Sequence, residues 1–235
     1  MPGMLSAARG FRGGGPNDSA FANLPLPQRM PSKRKPASSS VETEAKIRVS
    51  SLPAVKKKIR ATGGRLLNAR TFEKNTLFDL PEGDLRASGR SFRVRRYGST
   101  GSVTLKGAAR VFAGVKSREE LETHVSSPEV LSEILHAIGF IPQFRYEKFR
   151  EVWKVGSTLV CLDETPLGHF VEIEGPISAI SRVAKSLGLD PADFLSDSYP
   201  ALWSGSGRRD SMVFPAAPRA GKAPARRPAG KKRRA

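Results

Sequence analysis

Residues 41–50 read Val-Glu-Thr-Glu-Ala-Lys-Ile-Arg-Val-Ser, and their side chains alternate strictly in character. Glu42, Glu44, Lys46 and Arg48 fall on one face, and small or apolar residues fall on the other. Because successive side chains of a strand point to opposite faces, this period of two predicts a β-strand. The pattern also predicts that one face of the strand is charged and the other is apolar.

The same alternation recurs along the chain and predicts further strands. Ser51 and Ser127 are suited to cap helices that end at the glycines near residues 63 and 139, a third helix follows Pro176, and a short one starts at Pro191. The predicted strands are 41–50, 71–80, 91–97, 102–106, 118–126, 144–155, 158–164 and 169–174. Roughly eight strands adjacent in sequence, with three or four helices, indicate an α+β fold with a mainly antiparallel sheet.

The charged faces of these strands are segregated by type. Carboxylates cluster as Glu42 with Glu44, Glu120 with Glu122, and Glu172 with Glu174. Cations cluster as Arg93 with Arg95, Lys148 with Arg150, and the single residues Lys46 and Lys106. Oxygen ligands suit a hard divalent cation, and several grouped cations suit a polyphosphate. A solvated sheet face would explain any one strand. A closed barrel with a charged lumen, covered outside by helices, would explain all of them.

The charged residues also occur in the order of a known family. Glu42-Thr-Glu44-Ala-Lys46 resembles the E-x-E-x-K signature of the CYTH superfamily, the triphosphate tunnel metalloenzymes. The other matching segments are Phe78-Asp79, Arg93-Val-Arg95, Thr104-Leu-Lys106, Glu120-Leu-Glu122, Lys148-Phe-Arg150, Leu162-Asp163-Glu164 and Phe170-Val-Glu172-Ile-Glu174-Gly175. The resemblance covers residues 41–204 and implies a closed eight-stranded antiparallel β-barrel, or tunnel. Residues 163–175 are most similar to the class IV adenylate cyclase and thiamine triphosphatase-like branch.

The resemblance implies roles for individual residues. Mg²⁺ or Mn²⁺ would be held by the carboxylates Glu42, Glu44, Glu122, Glu172, Glu174 and Asp163. The phosphates would be bound by Lys46, Arg93, Arg95, Lys106, Lys148 and Arg150, with Arg118 as a further contact. Those first six cations and Asp163 are the expected catalytic residues. Glu120 competes with Glu122 as a ligand because both lie on one face of a strand, and His124 on that face stands where an acidic residue is expected.

The family resemblance further implies a divalent-metal-dependent enzyme that acts on a nucleoside or inorganic triphosphate. The branch implies cyclisation of ATP to cyclic AMP and pyrophosphate. Hydrolysis of the terminal phosphate of inorganic or thiamine triphosphate is the alternative, because the branches share nearly all of these positions. A domain that binds polyphosphate without turnover is a further alternative. The sequence leaves the oligomeric state open.

The charge of the 235-residue chain is unevenly distributed. The formal net charge is +18, but residues 1–40 and 205–235 carry 16 of the 40 Lys and Arg residues and only two of the 22 acidic ones. Both ends have few large apolar side chains, which predicts disordered tails around one domain at 41–204. The basic tails favour weak, nonspecific contact with polyanions such as RNA. The lone Cys161 and the lack of a hydrophobic leader predict a cytoplasmic protein without a membrane partner.

Overall fold

The computed structural model describes residues 40–215, so the predicted tail at 1–39 and the part of the C-terminal tail beyond 215 lie outside the described residues. The strands are β1 (Ser40–Val49), β2 (Arg65–Asp79), β3 (Ser91–Tyr97), β4 (Thr100–Lys106), β5 (Arg110–Phe112), β6 (Val115–Val125), β7 (Ile141–Val155), β8 (Thr158–Thr165) and β9 (Gly168–Glu174). They form one antiparallel sheet in the order β1-β9-β8-β7-β2-β3-β4-β6-β5. A pairing of β1 with β6 closes eight strands into a barrel and leaves β5 outside it. The predicted α+β fold with a closed eight-stranded barrel is confirmed.

Short helices connect the strands. They are α1 (Leu52–Ala61), α2 (Asp84–Ala87), α3 (Pro128–Ala137), α4 (Ile177–Ser186) and α5 (Tyr199–Gly205), with a 3₁₀ turn at Pro191–Asp193. The Ser51 hydroxyl caps α1 by accepting from the Ala54 amide at 3.4 Å, and Ser127 caps α3 in the same way through Val130 at 3.3 Å. No helix within residues 40–215 is long and apolar enough to cross a membrane.

The outer face of the barrel carries most of the hydrophobic core. Ile59 of α1 and Ile180 of α4 pack with Ile47 of β1 in one buried cluster. On another side, Leu135 of α3 packs with Phe78 and Val94. Because strand side chains alternate, burying the apolar face under the helices turns the charged face inwards. The helices thereby fix which residues enter the lumen.

The strands differ from the prediction mainly at β2 and β5, while β6 and β7 each start three residues before the predicted position. β2 starts at Arg65 rather than at residue 71, and its register against β7 shifts between Leu66 and Asn68 and again between Asn68 and Thr71. These irregularities interrupt the alternation, so residues 65–70 carry no period-two signal. β5 was not predicted because its three residues are too few to show alternation. It folds back on β6 through Ala113 and Gly114, both of which have positive φ.

One end of the barrel is covered by the C-terminal segment. Tyr199 and Trp203 of α5 pack with Tyr146 and Phe170, which lie on the inner faces of β7 and β9. Met212 joins this cluster with no exposed surface. Its amide donates to the carbonyl of residue 145 at 2.9 Å, and its carbonyl accepts from the amide of residue 147 at 2.8 Å. Apolar side chains therefore separate this end of the lumen from solvent.

Residues 205–215 depart from the prediction that a disordered tail starts at residue 205. Besides Met212, Phe214 packs against Phe149 with ring centroids 5.4 Å apart. These two anchoring side chains lie among glycine, serine and basic residues, so the segment shows no hydrophobic periodicity. The sequence pattern therefore placed the end of the folded domain too early. The folded domain extends at least to the end of this segment.

We expect Met212→Ala to destabilise the fold by about 2–5 kcal/mol, the range for removing a buried methionine side chain from a packed core. Val213→Ala is the matched control, because Val213 is 41% exposed beside it. The control should change the free energy of unfolding by less than about 1 kcal/mol. Urea unfolding of both variants measures the difference. Equal and small losses would show that the segment does not pack on the barrel.

Candidate active site

Side chains of opposite charge fill the lumen and balance one another. Eight carboxylates and eight cations project from the inner faces of the strands, and among residues 40–215 they form ion pairs of 4.0 Å or less only with one another. The carboxylates are Glu42, Glu44, Glu73, Glu120, Glu122, Asp163, Glu172 and Glu174. The cations are Lys46, Arg93, Arg95, Lys106, Lys116, Arg118, Lys148 and Arg150. Most of these residues are buried, so each charge depends on a partner for its stability.

Three carboxylates from β1 and β9 converge at one place, and we call them the carboxylate triad. Glu44 and Glu174 are directly opposite in the register of β1 with β9, and Glu42 lies two residues before Glu44 on the same face. Carboxylate oxygens of these three residues lie within 4.8 Å of one another. Lys106 Nζ lies 2.6 Å from Glu42, and Lys116 Nζ lies 2.8 Å from Glu44.

The cations compensate the triad unevenly. Burial would raise the pKa of Glu42, but Lys106 and Arg118 outweigh burial and lower it to about 2. Among the cations of residues 40–215, only Arg150 lies within 4.0 Å of Glu174, at 3.8 Å. Burial, opposed by Arg150 and reinforced by the neighbouring carboxylates, raises the pKa of Glu174 to about 7. Of the three carboxyl groups in the triad, that of Glu174 is therefore the one whose charged form its surroundings stabilise least.

The triad fits a hard divalent cation. It offers carboxylate oxygens alone, which are the donors that Mg²⁺ and Mn²⁺ prefer. Burial raises the pKa of Glu174, so a bound cation would stabilise the charged form of this carboxyl group. Glu42, Glu44 and Glu174 would hold the ion, and Arg118 faces the same place with Nε 3.3 Å from Glu42.

A second network is centred on Asp163, which has no exposed surface. Its carboxylate accepts from Lys148 Nζ at 2.9 Å, from Arg150 Nε at 2.7 Å and from the Tyr199 hydroxyl at 2.7 Å. Arg150 also donates to Glu172, whose other oxygen lies 2.9 Å from Lys46 Nζ. Asp163 and Glu172 thus hold Lys46, Lys148 and Arg150 together next to the triad.

Arg93 and Arg95 enter the lumen from β3, which β2 separates from β7. Arg93 donates to the Thr104 hydroxyl at 3.2 Å and lies 3.5 Å from Glu122. Arg95 Nε lies 3.2 Å from Asn75 Oδ1 and 3.4 Å from Glu73 Oε1. Both guanidinium groups therefore point into the lumen, and Glu73 connects Arg95 to Lys148 of the network around Asp163.

The structure brings the predicted phosphate-binding residues into one lumen but divides the predicted metal ligands. All six predicted cations and Arg118 are among the eight cations of the lumen. Of the six predicted ligands, only Glu42, Glu44 and Glu174 converge. Asp163 and Glu172 are held by cations, and Glu122 accepts from Thr104 at 2.6 Å. Their roles as ligands stay predictions. Between the competing residues, Glu120 is the one that shares Lys106 with Glu42, at 2.9 Å.

Sequence reasoning missed several lumen residues. Glu73 and Asn75 lay inside a predicted strand, and their alternation with Lys74 was the available signal. Lys116 stands two residues before the predicted start of its strand, so it was not considered. Tyr199 comes from a helix far along the chain and gave no signal at all.

Comparison with known proteins places this geometry in a family. Residues 40–189 match the model of the CYTH domain. The chain belongs to the CYTH family. CYTH proteins include metal-dependent enzymes that act on triphosphates, which agrees with the charge pattern of the lumen.

Individual CYTH relatives carry two activities in their names. A protein of Methanocaldococcus jannaschii named as a candidate adenylate cyclase is 27% identical over 150 residues, which are 63% of this chain and 83% of the relative. A crystal structure of a candidate adenylate cyclase from Vibrio parahaemolyticus has a TM-score of 0.62 at 21% identity, over 71% of this chain and 99% of that one. A candidate adenylyl cyclase from Hippeastrum, described as having a dominant triphosphatase activity, has a TM-score of 0.53 at 20% identity, over 70% and 96%.

Glu174→Gln should change how the stability of the metal-free CYTH domain depends on pH. Folding raises the pKa of Glu174 from 4.5 to about 7, so protonation of this carboxyl group stabilises the folded state. The stabilisation is complete below pH 4.5 and is lost as the pH rises through 7. Glutamine mimics the neutral acid at every pH. We expect the advantage of the variant over the wild type to grow by about 1–3 kcal/mol between pH 5 and pH 8. Urea unfolding in EDTA measures it, and a constant difference would contradict a raised pKa of Glu174 in the folded state.

Proposed function

We propose that this CYTH protein is a divalent-metal-dependent enzyme that cleaves a triphosphate inside the barrel, and that its reaction is the cyclisation of ATP to cyclic AMP and pyrophosphate. The observation that carries the proposal is the juxtaposition of the carboxylate triad with a cluster of buried cations in one closed lumen. The name of the relative at 27% identity supports cyclisation as the specific reaction.

The lumen can accept a triphosphate through an exchange of partners. In the ligand-free chain the cations are neutralised by carboxylates. A triphosphate brings several negative charges that can take over Lys46, Arg93, Arg95, Lys106, Lys148 and Arg150, with Arg118 beside the triad. The guanidinium groups suit bidentate contacts with phosphate oxygens, and the lysines act as point charges. Such contacts orient the phosphate chain and stabilise charge that develops on it during transfer.

When the triphosphate takes over the cations, the carboxylates lose these ion-pair partners and would hold the metal instead. Glu42, Glu44 and Glu174 are the proposed ligands, and Glu122, Glu172 and Asp163 are the further candidates. When bound, Mg²⁺ or Mn²⁺ supplies Lewis-acid stabilisation of phosphate oxygens. Asp163 keeps a positioning role in this scheme, because it orients Lys148 and Arg150 toward the lumen.

In the proposed reaction the ribose 3′ oxygen forms a bond to the α-phosphorus while the bond from that phosphorus to the bridging oxygen breaks. Pyrophosphate leaves, and the hydroxyl proton passes to a carboxylate of the lumen. Little covalent assistance is needed in phosphoryl-type transfer, because alignment and charge neutralisation provide most of the catalysis. The pre-arranged cations of the barrel are suited to both.

Hydrolysis of a triphosphate is the second candidate function. The description of the Hippeastrum protein as having a dominant triphosphatase activity favours it. The same electrostatics serve this reaction, in which water attacks the terminal phosphorus instead of the ribose hydroxyl attacking the α-phosphorus. A lumen that only binds polyphosphate is the remaining alternative.

Product analysis separates these functions. We expect the protein, incubated with ATP and Mg²⁺ or Mn²⁺, to release cyclic AMP and pyrophosphate. Release of ADP and phosphate, or cleavage of tripolyphosphate or thiamine triphosphate alone, would instead establish a triphosphatase. No product from any of these substrates would overturn both enzymatic functions and favour a binding module.

Glu174→Gln should lower metal-dependent turnover by at least about a hundredfold, because a metal ligand supports several kcal/mol of charge stabilisation. Glu164→Gln is the matched control, since Glu164 pairs with Arg70 on the outer face of β8 and its side chain is 37% exposed. The control should keep wild-type turnover. Wild-type activity in both variants would contradict the assignment of the metal to the triad.

A further inference from the structure

The inner wall formed by β2 and β3 is incompletely hydrogen-bonded. Three buried side-chain atoms of the described residues lack a hydrogen-bond partner, and they are Glu73 Oε2, Arg93 Nε and Tyr97 OH. Glu73 lies on β2, and the other two lie on the neighbouring strand β3. Buried polar atoms are normally paired, so three unpaired atoms on one wall of a binding tunnel point to a ligand.

Glu73 presents one oxygen to its neighbours and leaves the other free. Asn75 Nδ2 donates to Oε1 at 2.9 Å, and Arg95 Nε and Lys148 Nζ lie 3.4 Å and 3.8 Å from the same atom. Glu73 has no exposed surface. The side chain is therefore held in place by Oε1, and Oε2 is a fixed acceptor without a donor among residues 40–215.

Tyr97 lies beside this acceptor. It is directly opposite Glu73 in the register of β2 with β3, so both side chains point to the inner face. Its hydroxyl is buried without a partner among the described residues and can either donate or accept. Together the two residues offer a carboxylate acceptor and a phenol within one cross-strand pair.

The chemistry of this pair does not match a phosphate chain. A triphosphate at neutral pH presents acceptor oxygens and negative charge, so it cannot satisfy Glu73 Oε2 and is repelled by it. A hydroxyl or amino group can donate to Oε2 and also interact with the Tyr97 hydroxyl. Arg93 Nε, in contrast, can be satisfied by a phosphate oxygen.

We propose that Glu73 and Tyr97 form a subsite for a hydroxyl or amino group of the organic part of the substrate, and that this subsite selects a nucleoside triphosphate over inorganic tripolyphosphate. The inference rests on the proposed function, because it requires the phosphates to occupy the lumen beside Arg93. It adds a specificity-determining pair that the phosphate and metal sites do not contain.

Binding of ATP and of tripolyphosphate, measured by calorimetry in EDTA so that metal-dependent turnover does not interfere, tests this subsite. Glu73→Gln should weaken ATP binding by about tenfold or more, the value of a charge-assisted hydrogen bond. Tripolyphosphate binding should be unchanged or tighter, because a repelling charge is removed. Glu147→Gln is the control, since Glu147 accepts from the Phe214 amide on the outer face of β7 and should affect neither ligand.

Tyr97→Phe provides a second test that does not disturb the ion pairs of the lumen. Its hydroxyl has no hydrogen-bond partner within the part of the chain that the structure describes, so the variant should fold with wild-type stability. We expect ATP binding to weaken by about two- to tenfold and tripolyphosphate binding to stay the same.

Equal changes for the two ligands, or wild-type constants in both variants, would overturn the subsite. If the wild type still turns over a triphosphate in the presence of metal, the proposed function stands despite that result. A wild type that binds neither ligand and forms no product would overturn both.

Discussion

The mutual neutralisation of charges inside the barrel is the constraint on which the rest of the structure depends. Lys46, Glu73, Lys148, Asp163 and Glu172 are each less than 5% exposed. A single buried charge without a partner destabilises a fold by several kcal/mol. The strands must therefore be in a register that brings each carboxylate to a cation. Closure of the barrel by β1 and β6 is part of this requirement, because it places Glu44 next to Lys116 and Glu42 next to Arg118.

The same pairing explains how a stable fold can also be a binding site. The ligand-free lumen satisfies its charges internally, so it needs no anion in order to fold. A triphosphate offers the lysines and arginines of the lumen a stronger partner than the carboxylates do. A divalent cation does the same for the carboxylate triad. Glu174 is the carboxylate that the cations compensate least, as its raised pKa shows. The wall with Glu73 and Tyr97 is where hydrogen bonding is least complete.

The barrel could be predicted from the sequence because polar and apolar side chains alternate along most strands. The charged face could be predicted because this alternation places its residues on one side of each strand, and that side faces the lumen. The sequence could not assign pairs, because pairs depend on the register. The family resemblance implied that Glu172 is a metal ligand, and only the register shows that it also lies opposite Lys46. Met212 and Tyr199 were missed for a different reason. Each contributes one side chain from irregular or helical sequence to a distant cluster, and a single residue carries no periodicity.

A double-mutant cycle on Lys46 and Glu172, whose charged atoms lie 2.9 Å apart, tests this account most directly. The free energy of unfolding would be measured in urea at pH 7 in EDTA for the wild type, Lys46→Met, Glu172→Gln and the double variant. Each single change should cost about 3 kcal/mol, because Glu172→Gln removes the ion-pair partner of Lys46, and Lys46→Met leaves the buried Glu172 with Arg150 alone. The double variant should recover most of that loss, with a coupling energy of about 2 kcal/mol or more. Additive losses would contradict a lumen stabilised by internal charge pairing.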